Sequence, residues 1–387
     1  AKLPDELILS RPLLSIYHAW YLFAGGNEGT AEHVLQAAEQ IIEPGTDRAT
    51  ETLLPEREDR LSDSDRTSLI GKAAAFRAFM DSYREDVPGI IQHARQALEY
   101  LPEQDLPMRS IAAIALGDAY AIKGDMAASY QARLEATEVS RSTDNTYYLI
   151  AATLKLATTL RALGQLHRTV EVCQQQLQLA ETSGLSQGAL AGLLFAIWGE
   201  ALAELNDLDG AIHRAQRGVE MTEHGGDLAM LGWSYHCLMR VLFSRGDAAG
   251  AEKVVQKVEA LAQESAVPLW FTTYVAAWQT RVWLAQDKLE AASQWVERRG
   301  LSAHVTPKSA QELDYLTLIE LSVLARVLIA QERTDEAAML LTPLLEASEA
   351  GGNTSRVIEI LLLQALAFQA GGDPRQAVDK LQRALTL

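Results

Sequence analysis

Nine times along this 387-residue chain a helix-like segment runs into a short turn and a second helix-like segment, with a spacing of about 40 residues. A unit of that length cannot bury its own apolar face, so only the stacking of neighbours can make a core. The turn residues are Gly26, Glu85, Gly124, Gly164, Asn206, Gly246, Gln286, Glu332 and Gly372. Five are Gly and one is Asn, the residue types that most readily adopt the left-handed backbone closing a helix. Asp86, Asp125, Asp207, Asp247, Asp287 and Asp373 come next in six repeats and Asn27 in a seventh, placed to accept bonds from the free N–H groups of the second helix.

Two further positions recur. Five residues beyond the turn stand Ala31, Ala211, Ala251, Ala291, Ala337 and Ala377, with Ile90, Ser129 and Thr169 in the other repeats. Seven before it stand Ala19, Ala78, Gly117, Ala157, Gly199, Ala325 and Ala365, each small enough for paired helices to approach closely. A bulky apolar residue follows three later, among them Leu22, Tyr120, Leu160, Val282 and Phe368. This constellation resembles the tetratricopeptide repeat, lengthened by about six residues over its usual 34. HEAT-type repeats have the longer period but lack this Gly and Ala spacing. The expected fold is all-α, a tetratricopeptide-like right-handed superhelical solenoid of about nine helix-turn-helix repeats.

A solenoid escapes the size limit of a single globular core, so one helical-repeat domain is expected over 1–387. Repeat one spans 12–42, a charged insertion 43–68, and repeats two to nine 69–387. The chain opens at Ala1 without Met and stops at Leu387 on an amphipathic pattern, which leads us to expect a fragment of a longer protein.

The net charge of −17, from 51 acidic and 34 basic residues, opposes direct binding to nucleic acid or to an anionic membrane. Two cysteines, Cys173 and Cys237, make no disulfide framework, and a reducing cytoplasm is expected. No apolar run is long enough to span a bilayer. Gly71-Lys72 lacks the upstream Gly of a phosphate loop, no His pair has metal-ligand spacing, and no Gly-x-Ser-x-Gly elbow occurs, so no catalytic role and no metal are expected.

Three stretches narrow the family. They are Leu3-Pro4-Asp5-Glu6-Leu7 with Arg11-Pro12-Leu13 and His18-Ala19-Trp20; Ala94 to Pro102 with Arg109-Ser110 and Leu116-Gly117-Asp118-Ala119; and Leu324 to Gln331 leading into Ile358 to Ala365. Together they resemble the helical-repeat sensor region of the large ATP-binding regulators of the LuxR family, of the maltose-regulon-activator type. The resemblance implies a signal-receiving region that takes a small-molecule inducer or a modulator protein. It also implies partners in the parent chain, an ATPase module before the repeats and a DNA-binding domain after them. ATP is then expected in the ATPase module, with no cofactor in this segment. A general scaffold for peptide segments of partner proteins is the alternative.

In such solenoids the first helices line the concave face, and positions three, six, ten and thirteen before each turn point into it. Those offsets collect Trp20, Phe23, Phe79, Thr158, Phe243, Thr280 and Arg326, and the candidate ligand strip Asp118, Arg161, Glu200, Trp233, His236, Arg240 and Trp283. Aromatic faces supply contact area there and charges of both signs fix orientation. Trp198 and Trp278 fall where core residues are expected.

Overall fold

The computed structural model describes residues 5–24, 26–42, 61–143, 145–225, 228–264, 269–303 and 313–387. After a short α1 (Asp5–Leu9), nine helix pairs follow. They are α2 (Pro12–Ala24) with α3 (Glu28–Ile42), α4 (Asp63–Arg84) with α5 (Val87–Tyr100), and α6 (Leu106–Ile122) with α7 (Met126–Arg141). Next come α8 (Thr146–Ala162) with α9 (Leu166–Thr182), α10 (Ala189–Glu204) with α11 (Leu208–Glu223), and α12 (Leu228–Ser244) with α13 (Ala248–Glu264). The last are α14 (Leu269–Ala285) with α15 (Leu289–Arg298), α16 (Tyr315–Ala330) with α17 (Thr334–Ala350), and α18 (Thr354–Ala370) with α19 (Pro374–Leu385). There is no strand among the described residues. The fold is a tetratricopeptide-like helical-repeat solenoid, as the turn pattern implies.

Residues 43–60 of the charged insertion lie outside the described residues. Its last part is helix: α4 starts at Asp63, because the Ser62 hydroxyl accepts the Asp65 N–H at 3.1 Å and Asp63 and Asp65 complement the positive helix end. The insertion therefore ends at Ser62, not at residue 68.

Eight of the nine turn residues adopt positive φ, including Glu85 at 57°, Asn206 at 64° and Glu332 at 63°. The exception is repeat seven, where Asp287 and not Gln286 takes the left-handed conformation, with φ 58°. The capping pattern shifts with it. Asp86, Asp125, Asp207, Asp247 and Asp373 each accept the backbone N–H three residues on, at 2.7–3.2 Å, whereas Asp287 is spent on the turn and Lys288 opens α15 with no side-chain cap. The buried small residue shifts too: Ala31, Ala211, Ala251 and Ala337 are fully buried five beyond their turns, but in repeat seven the buried one is Ala292, not Ala291. Asp is among the non-Gly residues that visit left-handed backbone, so Asp287 can hold the turn here.

Pairs pack through the two small positions. A Cβ on Gly199 of α10 would lie 2.7 Å from the Ala211 carbonyl oxygen and 2.8 Å from the Ala215 nitrogen of α11, so backbone meets backbone at this crossing. Gly218 of α11 makes the reciprocal approach to Ala196 and Gly192.

The helices group into two compact units, residues 1–116 with 135–149, and 117–134 with 150–387. In the first, Trp20 stacks on Phe76 and Phe79 at 4.8 and 4.9 Å, above a core of Ile16, Leu35, Ile42 and Met80. In the second, separate apolar clusters lie along the repeats, with Val255, Phe271 and Val282 fully buried in one and Leu341, Leu344 and Ile360 in another. The second unit also meets itself: the Met126 N–H donates to the Gly351 carbonyl at 2.8 Å, joining the α6–α7 turn to the α17–α18 turn.

Candidate functional site

Within the second unit, the inner helices α8, α10, α12, α14, α16 and α18 each bring polar or aromatic side chains to one face, and two linked clusters form. The first centres on Glu200, which is 1% exposed. Its carboxylate takes the Arg161 Nε at 3.3 Å, the Arg240 guanidinium, and the Cys237 thiol at 3.4 Å. Glu204, one helical turn on, takes Arg161 Nη1 at 2.7 Å and Arg240 Nη2 at 3.0 Å. Burial alone raises a carboxyl pKa, but here Arg161 and Arg240 outweigh it and hold Glu200 down at about 2. Two arginines thus sit between two glutamates, and removing either arginine leaves a buried carboxylate half-compensated.

Beside this cluster lies an aromatic one. The Trp233 ring lies 5.8 Å from Trp270 and 6.0 Å from Tyr274. His236 meets Tyr274 edge-on at 4.8 Å, and Tyr274 continues to Tyr315 at 5.9 Å. Burial, with Arg240, Arg161 and Arg281 adding to it against the pull of Glu200, drives the His236 imidazole down to about 3, so it is neutral at physiological pH. Trp233 Nε1 and His236 Nδ1 are both buried and have no hydrogen-bond partner among the described residues. Two orphaned polar atoms in one aromatic pocket cost free energy unless something else meets them.

The second ionic cluster centres on Glu359 of α18. It accepts from Arg281 Nη1 at 3.0 Å, Arg326 Nη2 at 2.8 Å and Arg356 Nη1 at 2.5 Å. The Arg281 guanidinium lies 3.8 Å from the centre of the Trp278 ring, and Arg356 lies 5.4 Å from that of Tyr315. Trp278 is 8% exposed in the core, as expected, yet its face carries the cation.

Of the seven residues the sequence singled out, Arg161, Glu200, Trp233, His236 and Arg240 come together here. Asp118 is spent elsewhere, on Arg133 at 2.7 Å and Lys155 at 2.9 Å. Trp283 does not join the cluster. The corrected turn at Asp287 puts it four residues before the turn, at the bulky apolar position, and it packs against the α14–α16 core. The same one-residue correction moves Arg281 and Tyr274 onto the inner offsets six and thirteen. Glu359, thirteen before Gly372, obeys the same rule in repeat nine. Glu204, Tyr315 and Arg356 lie off these offsets, and no spacing signals them. Trp198 packs against the core around Leu194 and Ile197, as expected, with Arg214 of α11 3.9 Å from its ring centre.

No group of three or more His, Cys, Asp or Glu among the described residues has the arrangement of a metal site. No described helix is long and apolar enough to cross a membrane.

Stacked helix pairs presenting a shared aromatic and ionic inner face define a tetratricopeptide-type helical-repeat domain. More narrowly, the chain belongs to the family of the MalT-like TPR region, whose sequence model matches residues 71–387. It is 25% identical over 390 residues to the HTH-type transcriptional regulator MalT of Yersinia pestis (strain Pestoides F), covering 100% of this chain and 40% of that protein. The MalT of Yersinia enterocolitica (serotype O:8 / biotype 1B) is 22% identical, again over 100% of this chain and 40% of the relative. The chain thus spans 40% of the length of these curated relatives. Among solved structures, a Rap protein complexed with Competence and Sporulation Factor superposes with a TM-score of 0.68 at 13% identity, over 97% of this chain and 96% of that one. NprR in complex with its cognate peptide NprX gives 0.54 at 13% identity, over 82% and 89%. At such identities these two share the fold.

Proposed function

We propose that this chain is the effector-receiving region of a MalT-type transcriptional regulator, and that the effector occupies the inner face of the second unit around Trp233, His236 and Tyr274. On this reading an ATPase module and a DNA-binding domain adjoin it in the parent protein, ATP is handled by that module, and the protein works in the cytoplasm. The repeat region itself receives and transmits a signal, with no catalytic step. The observation that carries the reading is the pair of buried, unpartnered polar atoms, Trp233 Nε1 and His236 Nδ1, set among aromatic faces. An incoming ligand that accepts from one and pairs with the other removes a cost already built into the fold. A ligand spanning α12 to α18 also favours one spacing of the repeats over another, and that differential affinity is what couples a sensor to its output.

The experiment is a thermal-shift screen of small molecules, followed by calorimetry of each hit on the parent and on Trp233→Ala. Binding should weaken by about 1–3 kcal/mol in the variant while its helical circular dichroism stays that of the parent. Equal affinity of both proteins for every hit refutes the assignment. Arg240→Ala is a poor probe, because it strips a partner from buried Glu200 and perturbs the fold as well.

A second reading, that the face holds a peptide segment, is favoured by the two peptide-bound or factor-bound structures of the same fold. Hits confined to peptides in the same screen would select it.

A further inference from the structure

Among the described residues, the charges around Glu359 do not balance. Three guanidinium groups, from α14, α16 and α18, converge on one carboxylate, while Glu200 and Glu204 serve Arg161 and Arg240. Across both clusters, among the described residues, five arginines face three glutamates, in a chain whose overall charge is −17. Uncompensated like charges in a partly dry site repel strongly and are costly to keep.

The donors are not used up either. Arg281 Nε and Arg326 Nε are buried and have no hydrogen-bond partner among the described residues, although both guanidinium groups already reach Glu359. About a fifth of the Arg281 and Arg326 side chains remains exposed, so the site is reachable. Burial, and after it the neighbouring Arg326, pull the Arg281 pKa well below its ordinary value. The Tyr315 phenol moves the same way: Arg356 and Arg161 overcome the effect of burial and lower it, as surplus positive charge does to an acid. A structural ion network has no reason to carry this surplus. A receptor for an oxyanion does, because arginine forks match carboxylate and phosphate geometry and bind them bidentately.

We propose that Arg281, Arg326 and Arg356 form an anion-binding subsite that takes a carboxylate or phosphate group of the effector, whose apolar part lies against the adjoining Tyr315, Tyr274 and Trp233 rings. The subsite deepens the function proposed above and rests on it for the identity of the inner face as the effector site. It makes the effector an anionic small molecule.

The test uses the full 387-residue chain and two probes, inorganic phosphate and succinate, each compared with sodium chloride at matched ionic strength. At about 10 mM, at least one oxyanion should raise the parent's melting temperature by about 1 °C or more beyond chloride, in a saturable way. A response to phosphate alone or to succinate alone identifies the group. Arg281→Gln and Arg326→Gln should abolish the oxyanion response while keeping or raising the ligand-free melting temperature, because each relieves repulsion. A merely structural network predicts the reverse, a lower melting temperature in each variant. The proposal is overturned if neither oxyanion exceeds chloride on the parent, or if the variants keep the parent's response. The two readings fail separately. A neutral hit lost in Trp233→Ala, with no oxyanion effect on the parent, sinks the subsite and leaves the inner-face site standing. An oxyanion response lost in Arg281→Gln, with no hit dependent on Trp233, does the opposite.

Discussion

Acid should destabilise this protein through His236, and the magnitude follows from its surroundings. The side chain is 4% exposed, and burial is the leading cause that takes its pKa from 6.5 to about 3. The folded state therefore refuses a proton that the unfolded chain accepts as soon as the pH falls below 6.5. Stability is fully present above that value and is lost on acidification by about 1.4 kcal/mol per pH unit, until the folded state titrates near 3. Between about pH 7.5 and pH 5 the loss comes to about 2 kcal/mol. Glu200, held at about 2, acts in the same direction but only once the pH falls through the ordinary carboxylate range, so it contributes little in that window. His236→Leu removes the titrating group and its orphaned nitrogen together. Urea unfolding of the parent and the variant at the two pH values, followed by tryptophan fluorescence, isolates the difference. The variant should lose about 2 kcal/mol less than the parent over the window. If both lose the same stability, His236 is not held neutral by its site and the description of the aromatic pocket is wrong.

Two further expectations concern the fold. Gly199→Ala should cost about 1–3 kcal/mol, because the added methyl meets backbone atoms of Ala211 and Ala215 that cannot rotate away; unchanged urea unfolding would contradict the close α10–α11 crossing. Asp207→Ala removes the cap on Gly210 N–H and should lower stability by about 1 kcal/mol, whereas Asp287→Asn, at a residue that turns the chain and caps nothing, should stay within about 0.5 kcal/mol; both are read from the same unfolding curves.

The recurring turn, small residue and capping Asp made the helix pairs legible, because each is a local requirement. A left-handed turn favours Gly or Asn, found at six of the nine turns, and a close crossing favours Ala or Gly, whatever lies elsewhere in the chain. Five of the seven candidate residues could be placed on the inner face for the same reason: helical period fixes which side chains share a side. The rule failed where a local choice was degenerate. Gln286 and Asp287 are both plausible turn residues, and choosing the wrong one rotated a whole helix by one position, trading Arg281 and Tyr274 for Trp283. The chain's own chemistry thus determined the repeat, its register in eight of nine turns, and which side chains share a helix face. Only the tertiary structure decided which charges on that face meet. Glu359 lies 78 residues from Arg281 and Glu200 lies 39 from Arg161, separations set by how the repeats stack, and no local spacing records which pairs neutralise each other or that arginines outnumber their carboxylates.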